Sequence, residues 1–311
     1  MIVSKSVIYF VSLHRYNHSN HTLPMKLITL SGGLGNQMFQ YALYLSLRAR
    51  GEHVFLYKNK ILKHREHSGY ELQRIFGVES AVKGMWLTDL LQNRWIGSFV
   101  KHLLFPRKLR ERRLYDYASY EKPMKRKSFP GEHWVGYWQS EKYFAEVMDE
   151  VRRSFTFNES LLSQATKACV ENMPVTTPVS LHVRRGDYVS TGFSWMYGGL
   201  CNLDYYRRAI QYIKTHVENP VFYVFSDDLE WVKENLPLSE GSVLVDWNRG
   251  GDSWQDLYLM SRCKAHVLAN SSFSWWGAWL DANPNKVVVT PAVWVNHIEA
   301  PDVVPDSWVR L

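Results

Sequence analysis

The run Val179-Ser180-Leu181-His182-Val183-Arg184-Arg185-Gly186-Asp187-Tyr188 places two guanidinium groups just past a short apolar stretch. Two such forks at a strand end can brace a phosphate by paired hydrogen bonds, and Asp187 can hold one of them in place. A purely structural ion pair is the competing reading. Arg185-Gly186-Asp187 also spells an adhesion tripeptide, a resemblance that its place after a buried strand removes. Ser226-Asp227-Asp228 closes a second apolar run, where either aspartate can cap a helix or meet a ligand. A third polar group extends from Asp252 and Asp256 to Asn270-Ser271-Ser272-Phe273-Ser274-Trp275-Trp276. Asn and Ser side chains that open a helix after a strand make a cradle for phosphate or hydroxyl groups; the paired tryptophans fit core better than a sugar platform. The fourth group is Gly32-Gly33-Leu34-Gly35-Asn36-Gln37, glycines that admit a close backbone approach followed by two amides at a helix start. As a dinucleotide fingerprint it is broken, because Gly33-x-Gly35 runs into Met38 with no third glycine.

These groups need elements to hold them. Leu27–Leu30 reads as a buried strand, Ser31–Gln37 as a turn, Met38–Arg50 as a helix ending at Gly51, and His53–Tyr57 as the next strand. Leu87–Phe105 has amphipathic helical spacing, and Trp134–Trp138 suits a strand. Further on, strands are expected at Val179–Val183, Val221–Ser226, Val243–Asp246, His266–Ala269 and Val287–Thr290. Helices are expected between them at Asp204–His216, Leu229–Asn235, Ser253–Arg262 and Ser274–Asp281. Short β-branched runs alternating with helices of about ten residues indicate parallel sheets covered on both faces. The expected fold is α/β, with two facing Rossmann-like domains: 25–155, and 156–311 as the ligand-binding half. Residues 1–24, with a clean strand pattern starting only after Met25, read as a disordered or non-native leader.

Composition narrows the function. The chain has 311 residues and a formal net charge of +7, but the segment 94–127 alone holds 11 basic and 3 acidic residues, so the rest is near neutral. That argues against a nucleic-acid protein with a pervasive positive field; it leaves one patch able to meet an anionic membrane beside an apolar stretch. Three widely spaced cysteines, Cys169, Cys201 and Cys263, match neither a disulfide framework nor a zinc pattern and suggest a reducing, cytoplasmic setting. No run reaches the roughly 18–20 apolar residues of a membrane span. An NAD-dependent oxidoreductase conflicts with the broken fingerprint, and a simple sugar-binding protein has no need of Arg184, Arg185 and the Asn270-Ser271-Ser272 turn.

Four stretches in order, Gly32–Ala42, His182–Tyr188, Phe225–Asp228 and Asn270–Leu280, resemble the motif set of the α-1,2-fucosyltransferases, glycosyltransferase family 11. The resemblance spans Met25 to about Thr290. It implies a GT-B-like fold, GDP-L-fucose held mainly by the C-terminal domain, and a galactose 2-hydroxyl within a surface glycan, lipid-linked where the basic segment meets the inner face of a membrane, as acceptor. By the same resemblance Arg184 sits on the β-phosphate, His182 lies near guanine and ribose, Asp256 recognises guanine, and Ser271 and Ser272 form the phosphate-binding turn beside Asn270. Asn36, above Gly32, Gly33 and Gly35, lies near the reacting sugar; Arg185 and Asp227 belong to the donor site, and Asp187 orients an arginine. No metal or other cofactor is expected, since arginine supplies permanent charge and no Asp-x-Asp motif closes a strand. The chain departs from the related α-1,6 enzymes in having no carboxylate within Val189–Phe193. The base is thereby open among Asp187, an N-terminal carboxylate such as Glu71, and the β-phosphate with Asn36 positioning it.

Overall fold

The computed structural model describes residues 26–58, 69–78, 113–116, 132–173, 177–186, 188 and 194–311. Asp187, the leader 1–24, the Leu87–Phe105 stretch and, apart from 113–116, the basic segment lie outside the described residues.

The first half is built from β1 (Lys26–Leu30), α1 (Leu34–Ala49), β2 (Val54–Lys58), α2 (Leu72–Phe76), β3 (Arg113–Asp116), β4 (Glu132–Gly136) and α3 (Met148–Ser154), after which α4 (Gln164–Asn172) leads into the second half. The four strands of the first half pair in the order β2-β1-β4-β3, all parallel. The second half comprises β5 (Thr177–Val183), α5 (Ser194–Tyr197), α6 (Leu203–His216), β6 (Pro220–Ser226), α7 (Leu229–Asn235), β7 (Val243–Val245), α8 (Trp254–Ser261), β8 (Ala265–Val267), α9 (Ser272–Leu280), β9 (Val287–Thr290) and β10 (Val309–Arg310). Its sheet, also parallel, has the order β10-β9-β8-β5-β6-β7. Two parallel Rossmann-like sheets joined through their helices give the α/β, GT-B-like architecture that the motif order implies.

The local reasons are legible. Residues 178–183 of β5 are all buried, as a central parallel strand covered on both faces requires. In α6 the buried positions Tyr205, Tyr206, Ala209, Ile210 and Ile213 fall on one helical stripe, and Asn202 Oδ1 caps its start by accepting from the Tyr205 amide. Two helices begin earlier than their hydrophobic spacing predicts: α1 at Leu34 rather than Met38, and α9 at Ser272 rather than Ser274. In both, the polar motif forms the first helical turn, so periodicity alone places the start too late. Strands β3 and β10 have four and two residues, too short for an alternation to register.

The halves meet on these early turns. A Cβ added at Gly35 would lie 2.6 Å from the Ser272 carbonyl carbon and 2.8 Å from the Phe273 nitrogen, so the α1 backbone rests directly on that of α9. Trp276 Nε1 donates to the Gly35 carbonyl at 2.9 Å. Around this contact Phe39 packs against Trp275 and Trp276 with ring centroids at 4.5 and 4.8 Å, while Phe144 stacks on Trp276 and Phe155 meets it edge-on. The paired tryptophans are therefore core, and the hydrophobic cluster containing them includes side chains of both halves. The chain passes between the halves near 158–163, where the Asn158 amide bonds to the Ile75 carbonyl and the Ser163 amide to Gln255 Oε1.

Gly35→Ala is expected to lower unfolding stability by about 2–3 kcal/mol, the scale of overpacking against backbone that cannot move aside. Gly51→Ala, with open space around the new methyl but φ at +75°, is expected to cost about 1 kcal/mol. Urea unfolding of the two variants measures the difference; equal losses would mean that the α1–α9 contact is not tight.

Candidate active site

In open parallel sheets ligands gather beyond the carboxyl ends of strands, where the strand order reverses. In the second half the chain runs outward from β5 through β6 to β7, then returns to place β8 on the other side of β5. The β5/β8 boundary is thus the switch point, and His182–Arg185 and Asn270–Ser272 leave the sheet there. In the first half β1 lies between β2 and β4, and the residues that follow β1 and β4 are Ser31–Asn36 and Tyr137–Gln139. All four sequence motifs follow strand ends.

The two arginines of the β5 end are wired differently. Arg184 Nη1 lies 3.1 Å from Asp227 Oδ2, and its guanidinium is 5.9 Å from the centre of the Tyr188 ring. About a third of its side chain reaches the surface. Asp227 also accepts from the amides of Arg185 (2.8 Å) and Gly186 (3.1 Å), which fixes the turn carrying the arginines. A Cβ at Gly186 would stand 2.9 Å from the Asp227 carboxylate, which would have to shift to admit it. Arg185 is held by Asp228, Nε to Oδ2 at 3.0 Å, and lies 4.2 Å over the Trp231 ring. Asp228 in turn caps α7 through the Trp231 amide. The Arg185 hydrogen bond, with that amide, holds the Asp228 carboxyl below its usual range. Each arginine is thus paired with its own aspartate after β6, Arg184 with Asp227 and Arg185 with Asp228, and each keeps about a third of its side chain exposed. Asp228 as the Arg185 partner was not singled out from the sequence; the Asp227-Asp228 doublet was the only signal for it.

At the β8 end Ser271 caps α9, its Oγ accepting from the Phe273 amide at 3.3 Å. Asn270 is buried and spends its amide on protein: Nδ2 donates to the carbonyls of Tyr197 (3.2 Å) and Trp294 (3.3 Å). The Tyr188 hydroxyl donates to the Asn270 carbonyl at 3.1 Å. Asn270 is therefore placed to hold the wall of the site, with Ser271 and Ser272 forming the turn against which Gly35 rests.

From the facing half, Asn36 Oδ1 accepts from Gln139 Nε2 at 2.8 Å, and Gln139 Oε1 accepts from Trp294 Nε1 at 3.0 Å, a relay across the two halves. Gly32, at φ +74°, passes so near Asn36 that a Cβ would lie 2.6 Å from Nδ2. Gln37 donates to the carbonyls of Gly32 and Gly69 and accepts from the Glu71 amide. Gln40 holds Ser31 and the Gly136 carbonyl. Glu71 is buried; burial raises its pKa against the opposing pull of Arg74, 3.3 Å away. Arg74 bridges onward to the Gly251 carbonyl at 2.7 Å. Gln139 and Arg74 lie in no motif and could be found only from the folded chain, while Gln40 falls within the Gly32–Ala42 stretch and gains its role only from the fold.

Two titrating groups complete the region. Burial, with the Arg184 charge beside it, pushes the His182 imidazole down to about 3, so it is neutral near pH 7; its buried Nδ1 has no hydrogen-bond partner among the described residues. Asp256, on the first turn of α8, is pushed up to about 7 by burial, against the lowering effects of the Asn248 amide at 2.8 Å and of Arg249.

A family model described as Glycosyl transferase family 11 matches residues 3–309. An alpha-1,2-colitosyltransferase of Escherichia coli is 35% identical over 91% of this chain and 97% of its own length. The O-antigen biosynthesis glycosyltransferase WbnK, also of Escherichia coli, is 31% identical over 91% of this chain and 99% of its own. Galactoside alpha-(1,2)-fucosyltransferase 1 of Homo sapiens is 30% identical over 55% of this chain and 48% of its own.

Because the folded Asp256 carboxyl titrates above its unfolded value, its contribution to stability is full below about pH 4 and is lost as pH rises to about 7. Wild type is expected to lose stability relative to Asp256→Asn across that window, by up to about 1.4 kcal/mol per pH unit, and to level off above it. The difference between their urea-unfolding free energies at a series of pH values isolates Asp256 from His182, whose depressed pKa acts in the opposite direction. A flat difference curve would show that Asp256 titrates as an ordinary carboxylate.

Proposed function

The chain belongs to glycosyl transferase family 11, and from that premise we propose that it moves L-fucose from GDP-β-L-fucose to the 2-hydroxyl of a galactoside with inversion at C1. The reading is carried by one juxtaposition, the glycine turn of α1 seated on the Asn270-Ser271-Ser272 turn. It brings Asn36 of one half to the same junction as Arg184 of the other, the latter linked through Tyr188 to Asn270. The acceptor oxygen bonds to C1 as the bond from C1 to the β-phosphate breaks on the opposite face. Negative charge then builds on the departing GDP, and a guanidinium already oriented by Asp227 meets it without reorganisation. Arg184 supplies permanent charge, so the transfer proceeds without a divalent metal. Asp256 and Asn248 offer a carboxylate and an amide for the guanine edge, and the neutral His182 belongs to the same donor half.

The acceptor's proton passes to Glu71. The Glu71 backbone amide is tied to the glycine turn through Gln37, and burial raises its carboxyl pKa, the direction that favours a base.

The 35% identity to an alpha-1,2-colitosyltransferase favours one second reading, transfer of colitose, the 3-deoxy counterpart of fucose, from its GDP ester. Sites built to hydrogen-bond a sugar hydroxyl reject the deoxy analogue strongly, whereas sites built for the deoxy sugar reject the hydroxyl only weakly. The two readings therefore differ in the size of the donor preference.

GDP release from GDP-fucose and GDP-colitose, with and without β-galactosides and in excess EDTA, tests the whole reading. Release stimulated by galactoside, with fucose preferred, is expected. A preference of tenfold or more for GDP-colitose replaces the donor, and dependence on added metal removes the arginine mechanism. Arg184→Lys keeps charge but loses the fork, and turnover is expected to fall at least about a hundredfold, the scale of one such donor; near wild-type turnover overturns the assignment. Glu71→Gln is expected to remove the acidic limb of the pH–rate profile, and a profile that keeps it returns the proton to Asp187 or the phosphate.

A further inference from the structure

Trp195, on α5, is the most exposed large apolar side chain among the described residues, at 58%. Its indole lies nearly parallel to the His297 imidazole, with centroids 6.4 Å apart and planes 18° apart. His297 has a left-handed backbone, φ 62°, one of three such non-glycine residues described. A bulky side chain in that region is held by its surroundings, and such positions concentrate at ligand sites.

The pair is rigidly mounted. Asn296 donates from its backbone to the Met196 carbonyl at 2.8 Å and from its side chain to the Gly198 carbonyl at 2.9 Å, so the 296–297 turn and α5 form one unit. Gly198 fits only without a Cβ, which would stand 2.5 Å from the Ser194 carbonyl oxygen and 2.8 Å from that of Tyr188. Tyr197 stacks on Tyr188 at 5.2 Å, and Tyr188 is the ring beside the Arg184 guanidinium. On its other side the unit is continuous with Trp294, whose indole bonds to Gln139, the residue that holds Asn36. An exposed aromatic thus shares its supports with both groups that the proposed reaction uses.

We propose that Trp195, backed by His297, is the stacking platform for the acceptor sugar; this rests on the galactoside reading above. An indole left in water at a rigid wall binds flat, partly apolar rings. In a β-galactoside the axial 4-hydroxyl leaves the C3, C4 and C5 hydrogens on one continuous apolar face. Stacking on that face covers it while the equatorial 2-hydroxyl stays uncovered at the ring edge, free to turn toward Asn36 and Arg184. The platform selects the acceptor and takes no part in bond breaking.

The test compares Trp195→Ala, Trp195→Phe and wild type for acceptor KM, kcat at saturating acceptor and GDP affinity. Trp195→Ala is expected to raise the acceptor KM about tenfold, with kcat and the GDP Kd within twofold, and Trp195→Phe is expected to restore most of the loss. An unchanged acceptor KM in Trp195→Ala, or a GDP Kd weakened in parallel, overturns the platform. Should wild type transfer no sugar to any galactoside, the functional reading fails by itself. The platform is then judged by the indole N–H resonance of Trp195, identified by its loss in Trp195→Phe. A shift of that resonance on titration with methyl β-galactoside supports the platform, and its absence overturns it.

Discussion

The close approach of Gly35 to the Ser272 backbone is the constraint on which the rest of the molecule depends. Only a residue without a side chain lets the first turn of α1 lie on the first turn of α9, and the Trp276 indole closes the gap by bonding to the Gly35 carbonyl. Phe39, Trp275, Phe144 and Phe155 then pack around that bond. The aromatic cluster joins two sheets that would otherwise be separate cores, and it sits directly under the turns that present Asn36 and Ser271. Packing and site are one feature at this point: a change that loosens the helix contact also moves the polar groups above it.

Above this junction, polar groups are held mainly by other protein groups. Gln37, Gln40 and Asn270 spend their amides on backbone carbonyls, and Gln139 spends its own on Asn36 and the Trp294 indole. Buried polar atoms are stabilising only when paired, so each amide fixes a loop at little cost. The Asp227–Asp228 doublet shows the same economy. One carboxylate sets the turn after β5 and orients Arg184, while the other caps α7 and anchors Arg185 against Trp231. A site organised in this way presents positive charge in a fixed direction before any ligand arrives, which is the condition for charge stabilisation without reorganisation.

The surrounding electrostatics follow from burial. His182 lies below Arg184 and stays neutral because both desolvation and the neighbouring cation disfavour a second positive charge. Asp256 and Glu71 are shifted upward for the same first reason, each moderated by a cation or amide nearby. Burial thus lowers the proton affinity of the imidazole and raises that of both carboxyls, most for Asp256, which is pushed up to about 7.

By itself the amino-acid sequence determined the strand–helix alternation, most element bounds, the α/β class and the family, because apolar periodicity and motif order are properties of neighbouring residues. Helix α7 and strand β9 stand where periodicity puts them. The positions of His182, Arg184, Asn270 and Asn36 at strand ends were legible for the same reason. The tertiary structure alone decided which residues answer one another. Arg184 and Arg185 are adjacent and identical in type, yet they take different partners, Asp227 and Asp228, which lie more than 40 residues away just past the next strand. Gly35 reads locally as a turn glycine; only the arrival of α9, some 240 residues later, makes it the place where nothing larger fits. Local pattern encodes which face of each element is buried, and the choice of what covers that face is settled only when the whole chain packs.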